Sequence, residues 1–224
     1  PEEVTIGHVV APDLAALFIG GGGYTFPRYL EALFPESRLV VAEIDPGVTD
    51  VAHAMLGLSP NTRTEIHSLD ARILLANHDM GERFDIVFGD AFNDYSVPFH
   101  LTTLEFDRLV ADLLRDDGMY LVNIIDGGRH GHFLRAYVRT LRQVFPHVSV
   151  IPSGSNWRES IRTTFVIVAS KQPVDLAHLP PSERPIAPEE LDEYLAMGEP
   201  MILTDEYVPV DNLLAPVFRD SHDG

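Results

Sequence analysis

The sequence has no cysteine, little positive charge and no long apolar run. The absence of cysteine excludes a disulfide framework, a thiolate metal site and a cysteine nucleophile. No stretch of about 18 apolar residues is present and the N-terminus lacks the features of a signal peptide, so we expect a cytoplasmic domain. The 10 histidines show no metal-binding spacing, and we expect no metal.

The charge balance narrows the class of partner. The chain carries 16 Lys and Arg residues against 34 Asp and Glu residues, for a formal net charge of −18. Such a protein repels phosphate backbones, so we expect no nucleic acid as partner. A small cationic molecule is the favoured class of substrate, although many enzymes are acidic for solubility alone.

The pattern of apolar residues predicts one α/β domain. Short runs rich in Val, Ile and Phe alternate with helix-period segments, which indicates strand–helix repeats around a mostly parallel sheet. We predict seven strands, at residues 14–19, 38–44, 63–67, 84–89, 119–125, 148–151 and 164–169. Helices are predicted at residues 27–34, 46–56, 71–77, 103–114, 132–145 and 188–196. Only a polar loop separates the last two strands, so these should form an antiparallel hairpin.

The end of the chain differs in composition from the rest. Residues 172–188 contain five prolines and few apolar residues, which is typical of a surface linker. We therefore place the nucleoside-binding catalytic domain at residues 1–171. Residues 172–224 are expected to form a proline-rich linker and a tail that packs on the same domain.

A glycine-rich turn is the strongest local signal. Gly20, Gly21, Gly22 and Gly23 follow the first strand and precede a helix. Missing side chains allow the backbone to approach a ligand closely, while the N–H groups of the helix face it. The third position of the dinucleotide-binding spacing falls on Thr25, which disfavours pyrophosphate. The turn therefore predicts a nucleoside site.

Acidic residues end or follow three successive predicted strands. Glu43 ends the second strand, in the position from which an acid accepts hydrogen bonds from both ribose hydroxyls. Asp70 follows the third strand and precedes Ala71, where it either caps the next helix or accepts the adenine amino group. Asp90 ends the fourth strand, at the sheet edge where ligands of open α/β sheets bind.

These motifs together resemble the spermidine synthase family, especially the spermidine synthase-like domains that are fused to membrane-spanning segments in bacteria. The matching stretches are residues 19–30, 43–46, 70–72, 90–94 and 203–212. The resemblance implies the Rossmann-like fold of class I S-adenosylmethionine-dependent methyltransferases, with a seven-stranded sheet that ends in an antiparallel hairpin. It also implies a homodimer and a membrane-spanning segment in a longer parent chain.

The resemblance further implies a reaction, in which an aminopropyl group moves from decarboxylated S-adenosylmethionine to a diamine such as putrescine. The donor is a co-substrate held by the glycine turn, and no cofactor is tightly bound. Glu43 then contacts the ribose, Asp70 and Ala71 lie near adenine, and Asp90 is the catalytic acid–base. The chain departs from the family motif Asp-Ser-Ser-Asp-Pro, because Asn93 takes the place of the second Asp.

Further acids and aromatic residues are candidates for the amine site. A desolvated ammonium needs a paired charge, and Asp94, Glu105 and Asp205 are candidates for the distal ammonium of a diamine. Tyr95 and Tyr207 are candidates for an aromatic lining of the amine channel. Solvated loop acids, helix caps and packing tyrosines are the alternative interpretations of the same residues.

Two other functions fit the same motifs. A methyltransferase that uses intact S-adenosylmethionine needs the same turn and the same acids. The departures from the family pattern, which include the absence of the family's N-terminal β-rich segment from the sequence, suggest a nucleoside-binding domain without turnover. The donor carboxylate distinguishes aminopropyl transfer from methyl transfer, because a site for the intact donor needs a cation to pair with it. No Lys or Arg lies between Gly20 and Gly23, and Arg28 is one turn into the helix.

Overall fold

The structure is a computed structural model that describes residues 13–77, 80, 81, 83–91 and 97–220. Within these residues the chain forms seven strands and seven α-helices. The strands are β1 (Ala15–Ile19), β2 (Arg38–Ala42), β3 (Glu65–His67), β4 (Phe84–Gly89), β5 (Leu114–Asp126), β6 (His147–Pro152) and β7 (Thr163–Ser170). The helices are α1 (Thr25–Leu33), α2 (Pro46–Met55), α3 (Ala71–Asn77), α4 (Leu104–Leu113), α5 (His132–Leu141), α6 (Pro188–Ala196) and α7 (Val210–Asp220).

All seven strands form one sheet, in the order β3-β2-β1-β4-β5-β7-β6. Strands β1 to β5 pair in parallel, and β7 lies antiparallel between β5 and β6. This confirms the predicted sheet and its C-terminal hairpin. The chain builds the sheet outward from β1 first to β3 and then, on the other side, to β5. The carboxyl ends of β1 and β4 therefore flank the switch point at which open α/β sheets form a ligand crevice.

Helices cover both faces of the sheet, which explains why the central strands are apolar without alternation. Every residue of β1 and of β4 is buried. Leu30 of α1 and Ala52 of α2 pack on one face, in a cluster that includes Phe18 and Phe88. The larger cluster on the other face contains residues of α3, α4 and α5 and of the C-terminal helices α6 and α7. Parallel sheets are normally buried in this way.

The C-terminal part of the chain packs on the core, and its last helix was not predicted. Leu191, Tyr194, Leu203 and Leu214 are all buried in the larger cluster. Helix α7 contains an interior proline, Pro216, and the sequence pattern does not predict this helix because proline normally ends one. No helix in the described part of the chain is long and apolar enough to cross a bilayer.

Two predicted boundaries differ from the structure by more than two residues. Strand β5 begins five residues earlier than predicted, at Leu114 instead of Met119, because Leu114 pairs with Phe84 at the start of β4. Helix α5 ends at Leu141 instead of Phe145, and the chain turns through residues 142–144. Phe145 remains fully buried, so its apolar character reflects tertiary packing and not helix continuation.

Candidate functional site

The glycine turn brings the ends of β1 and β4 into close contact. Gly20 has φ of +99°, and a Cβ atom there would lie 2.7 Å from the carbonyl oxygen of Asp90. Its N–H donates to the carbonyl of Ala42, 2.9 Å away, and the N–H of Asp90 donates to the carbonyl of Ile19 at 3.0 Å. Only glycine combines this conformation with this approach, so Gly20 fixes the distance between the turn and Asp90.

A buried tyrosine packs against the glycine turn. Tyr24 is a non-glycine residue with φ of 53°, and its ring is fully buried. Its hydroxyl shares a hydrogen bond of 2.7 Å with Oγ1 of Thr49 on α2, and burial raises the pKa of Tyr24. A Cβ atom on Gly21 would lie 2.7 Å from the Tyr24 ring. The glycines are therefore needed for packing as well as for ligand approach.

Glu43 follows β2 and connects two parts of the site. Its Oε2 accepts hydrogen bonds from the N–H groups of Gly21 at 2.8 Å and Gly22 at 3.4 Å. Its Oε1 accepts from the N–H of Asp45 at 2.9 Å. The side chain is largely buried and lines the cleft beside the turn. These bonds hold the carboxylate beside the glycine turn, and its contact with a ribose stays a prediction.

Asp70 has two partners in the structure. Its Oδ1 accepts from the N–H of Ile73 at 3.1 Å and so caps α3. Its Oδ2 lies 2.7 Å from Nε2 of His100, which stands on a short 3-10 helix before α4. The capping interpretation is therefore observed, and the adenine contact stays a prediction. His100 could not be identified from the sequence, because its partner lies 30 residues away.

Asp90 lies exposed at the carboxyl end of β4, as predicted. Its Oδ1 accepts a hydrogen bond of 3.0 Å from Nδ2 of Asn123, which points from the neighbouring strand β5. Asn123 was missed at the level of sequence. The signal was present, since Asn123 carries the only side-chain amide in the apolar stretch of residues 120–125.

The cleft at the switch point has two compartments that share Gly20, Gly22 and Asp90. The first, which we call the nucleoside compartment, has a volume of about 440 Å³. Its walls include Glu43, Ile44, Asp70, Ala71 and His100.

The second, which we call the apolar compartment, lies on the other side of Asp90 and has a volume of about 490 Å³. Its walls include Phe18, Phe26, Phe88, Leu121, Asn123 and Val166. Asp90 therefore stands where the two compartments meet.

Among the described residues that line the cleft, acidic side chains are present and Lys and Arg are absent. Arg28 donates from Nη1 to the carbonyl of Leu56 at 2.6 Å, so this cation at the start of α1 faces the end of α2. With Glu43, Asp70 and Asp90 in its walls, the cleft is suited to a cationic ligand.

Three further candidates lie outside these walls. Asp205 forms a two-point ion pair with Arg72 of α3 and also accepts from Thr103 at 2.7 Å. Arg72 holds the pKa of Asp205 below its usual value. Glu105 accepts from the N–H of Asp205 at 3.0 Å, and Tyr207 is 60% exposed.

Thus Glu105 and Asp205 tie the C-terminal segment to α3 and α4. Their contribution to an amine site, like that of Tyr207, stays a prediction. Asp94 and Tyr95 lie outside the described residues. In the part of the chain that the structure covers, no three His, Asp or Glu side chains are grouped as metal ligands would be.

The sheet order and the helices that cover both faces are those of the class I S-adenosylmethionine-dependent methyltransferase fold. A probable spermidine synthase from Corynebacterium glutamicum superposes with a TM-score of 0.76 at 19% identity, over 91% of this chain and 76% of that chain. Human methyltransferase-like protein 13, in complex with SAH, gives 0.60 at 22% identity over 89% of each chain. A spermidine synthase in complex with the transition state analogue AdoDATO gives 0.57 at 19% identity, over 91% of this chain and 68% of that one.

Sequence comparison confirms the predicted resemblance to spermidine synthases. A polyamine aminopropyltransferase of Vibrio vulnificus is 36% identical over 108 residues, which are 48% of this chain and 36% of the relative. A probable polyamine aminopropyl transferase of Bifidobacterium longum is 31% identical over 146 residues, 61% of this chain and 31% of the relative.

A more distant similarity joins the chain to a methyltransferase. The eEF1A lysine and N-terminal methyltransferase of Bos taurus is 26% identical over 121 residues, 50% of this chain and 17% of the relative. No protein-family model matches the chain. The chain thus spans about a third of the length of the two aminopropyltransferases that it resembles.

Proposed function

We propose that this chain is an aminopropyltransferase domain, which moves an aminopropyl group from decarboxylated S-adenosylmethionine to an amine. One observation carries the proposal: Asp90 stands where two compartments meet, and no Lys or Arg is among the described residues that line either one. Intact S-adenosylmethionine brings a carboxylate that would face these acids without a partner. The decarboxylated donor brings a sulfonium and an ammonium, which acidic walls attract.

The nucleoside compartment is suited to the donor. Glu43 is held by backbone N–H groups at the end of β2, with its carboxylate beside the glycine turn. We assign it to the ribose hydroxyls, and we assign Asp70 and Ala71 to the adenine ring. Two structural neighbours with the same fold are complexes with SAH and with AdoDATO, which supports a nucleoside as the ligand of this chain.

Asp90 is the proposed proton acceptor of the reaction. The lone pair of the amine forms a bond to the carbon beside the sulfonium, the carbon–sulfur bond breaks, and its electrons neutralise the sulfur. The products are a secondary amine and methylthioadenosine, and the proton leaves the nitrogen for Asp90 and then for water. A free alkyl ammonium titrates near 10.4, so deprotonation at pH 7 costs about 4.6 kcal/mol. A positioned base contributes roughly 10²–10⁴-fold to the rate.

Methyl transfer is the second candidate. The similarity to the eEF1A lysine and N-terminal methyltransferase favours it, as does the fold that the chain shares with methyltransferase-like protein 13. Both reactions use a sulfonium next to the same ribose acid. The two candidates differ in whether the donor carboxylate is tolerated.

Calorimetric titration with three nucleosides tests the proposal. We expect the purified chain to bind methylthioadenosine, and to bind decarboxylated S-adenosylmethionine more tightly than the intact form. Incubation of the decarboxylated donor with an amine should then release methylthioadenosine. Tighter binding of the intact donor would instead support methyl transfer. If none of the three nucleosides binds, both candidate functions are wrong.

A further inference from the structure

The apolar compartment is built around three phenylalanine rings. Phe18 of β1 and Phe88 of β4 are stacked, with ring centroids 4.8 Å apart, and Phe26 of α1 meets Phe88 edge-on at 4.6 Å. Because Phe18 and Phe88 cover each other, few ring faces remain for a cation. Phe26 lines the compartment and is 38% exposed. The compartment therefore offers mainly apolar surface.

Charge is confined to one end of this compartment. Asp90 carries the only ionisable side chain among the described residues that line it. The amide of Asn123 is bonded to Asp90 at 3.0 Å, which places the polar groups together at the junction with the nucleoside compartment. Leu121 and Val166 continue the wall without charge. A ligand that fills this space meets a carboxylate at one end and mainly apolar surface along the rest of the described walls.

Two of the three carboxylates predicted for a distal ammonium, Glu105 and Asp205, are occupied elsewhere, and the third, Asp94, lies outside the described residues. Asp205 forms its two-point ion pair with Arg72, and Glu105 accepts from the backbone of Asp205. Neither residue is part of the wall of the apolar compartment. A second ammonium placed among the phenylalanine rings would lose its hydration and gain no charged partner from the described residues, which is strongly unfavourable.

We propose that the acceptor is a primary monoamine with an apolar or aromatic tail, and not a diamine. The inference rests on the proposed function, since it takes the apolar compartment as the acceptor site. The amine nitrogen lies at Asp90, beside the donor carbon, and the tail packs on Phe26, Phe88 and Val166. Each methylene that becomes buried there increases the affinity roughly fourfold.

The test compares n-pentylamine with putrescine, which have the same number of non-hydrogen atoms and differ in a terminal methyl against a terminal ammonium. Each amine is titrated calorimetrically into the chain, with and without saturating methylthioadenosine. We expect n-pentylamine to bind at least about tenfold more tightly, because only its end group is apolar. Equal or tighter binding of putrescine overturns the proposal, as does the absence of n-pentylamine binding.

Two variants place the preference in this compartment. Val166→Asp adds a carboxylate to the wall at a side chain that is 36% exposed, and it should shift the preference by at least tenfold towards putrescine. Val51→Asp makes the same change on the outer surface of α2, where Val51 is 49% exposed, and it should leave the preference unchanged. Phe26→Ala should weaken n-pentylamine binding about tenfold while methylthioadenosine binding persists. The same preference in all three variants would overturn the proposal.

The two levels of the proposal fail in different ways. The inference about the acceptor fails if methylthioadenosine binds and putrescine is nevertheless preferred. The proposed function fails if neither amine releases methylthioadenosine from the decarboxylated donor, whatever the binding preference. Binding and product release are measured separately, so one failure cannot be mistaken for the other.

Discussion

Replacing Asp90 with Asn removes the proton acceptor from the cleft and keeps its geometry. Asp90 is exposed and its side chain makes one described hydrogen bond, in which Oδ1 accepts from Asn123 at 3.0 Å. An amide oxygen can accept the same bond. The variant should therefore fold with unchanged stability, since surface substitutions away from packed groups usually stay within about 0.5 kcal/mol.

The expected loss lies in the chemical step. Without a base at Asp90, kcat should fall by about 10²–10⁴-fold, which corresponds to roughly 2.7–5.5 kcal/mol in the barrier. The nucleoside contacts assigned to Glu43 and Asp70 are untouched, so the Kd for methylthioadenosine should change less than about threefold. Release of methylthioadenosine is followed under saturating donor and amine, and the Kd is measured by calorimetry.

A matched variant separates the base from the loss of one negative charge. Asp50→Asn removes an exposed carboxylate from α2, on a residue that does not line the cleft. Its kcat should equal that of the unaltered chain. An Asp90→Asn variant that retains full kcat would refute the assignment of Asp90 as the base. A large loss of nucleoside affinity in that variant would show that Asp90 acts in binding instead.

Three further outcomes are expected. Glu43→Ala should weaken methylthioadenosine binding about ten- to hundredfold in calorimetry, because a hydrogen bond to a charged acceptor contributes about 1.5–3 kcal/mol; unchanged affinity would remove it from the ribose site. Gly20→Ala should lower the free energy of unfolding in urea by at least about 1 kcal/mol, because the φ of Gly20 is +99° and a Cβ atom there would lie 2.7 Å from the carbonyl oxygen of Asp90. Gly154 has open space around it, so Gly154→Ala should not lower the free energy of unfolding. Burial raises the pKa of Asp126 from 3.8 to about 6, so the folded state binds more protons between these values and this carboxyl makes stability fall as pH rises through that window. Asp126→Asn should remove up to about 3 kcal/mol of this dependence in urea unfolding at pH 4 to 7, and identical profiles would contradict it.

Much of the fold could be predicted because its signals are local. The boundaries of β4, α3 and α6 agree with the prediction at both ends. Their apolar residues follow one period, and a proline or an acid marks the start of each helix. The prediction was less accurate for β5, because the polar residues 115–117 interrupt its apolar pattern after Leu114, which joins the sheet by pairing with Phe84 of β4.

The candidate site was partly predictable for the same reason. Gly20, Glu43, Asp70 and Asp90 could be predicted to converge, because the carboxyl ends of parallel strands meet at one edge of the sheet. The structure brings all four to the cleft walls. The hydrogen bond between Asp90 and Asn123 joins residues 33 positions apart, and no local pattern specifies such a pair.

The sequence by itself determined the α/β class, the glycine turn and the row of acids, since each depends on neighbours within a few residues. The tertiary structure alone decided how those acids are occupied. It paired Asp205 with Arg72 across 133 positions and formed an aromatic compartment in which Asp90 is the only charged side chain among the described lining residues. A carboxylate in a sequence is only a candidate partner for a cation. Which cation it meets depends on the packing of distant segments, because charge pairing acts over a few ångströms of space and not along the chain.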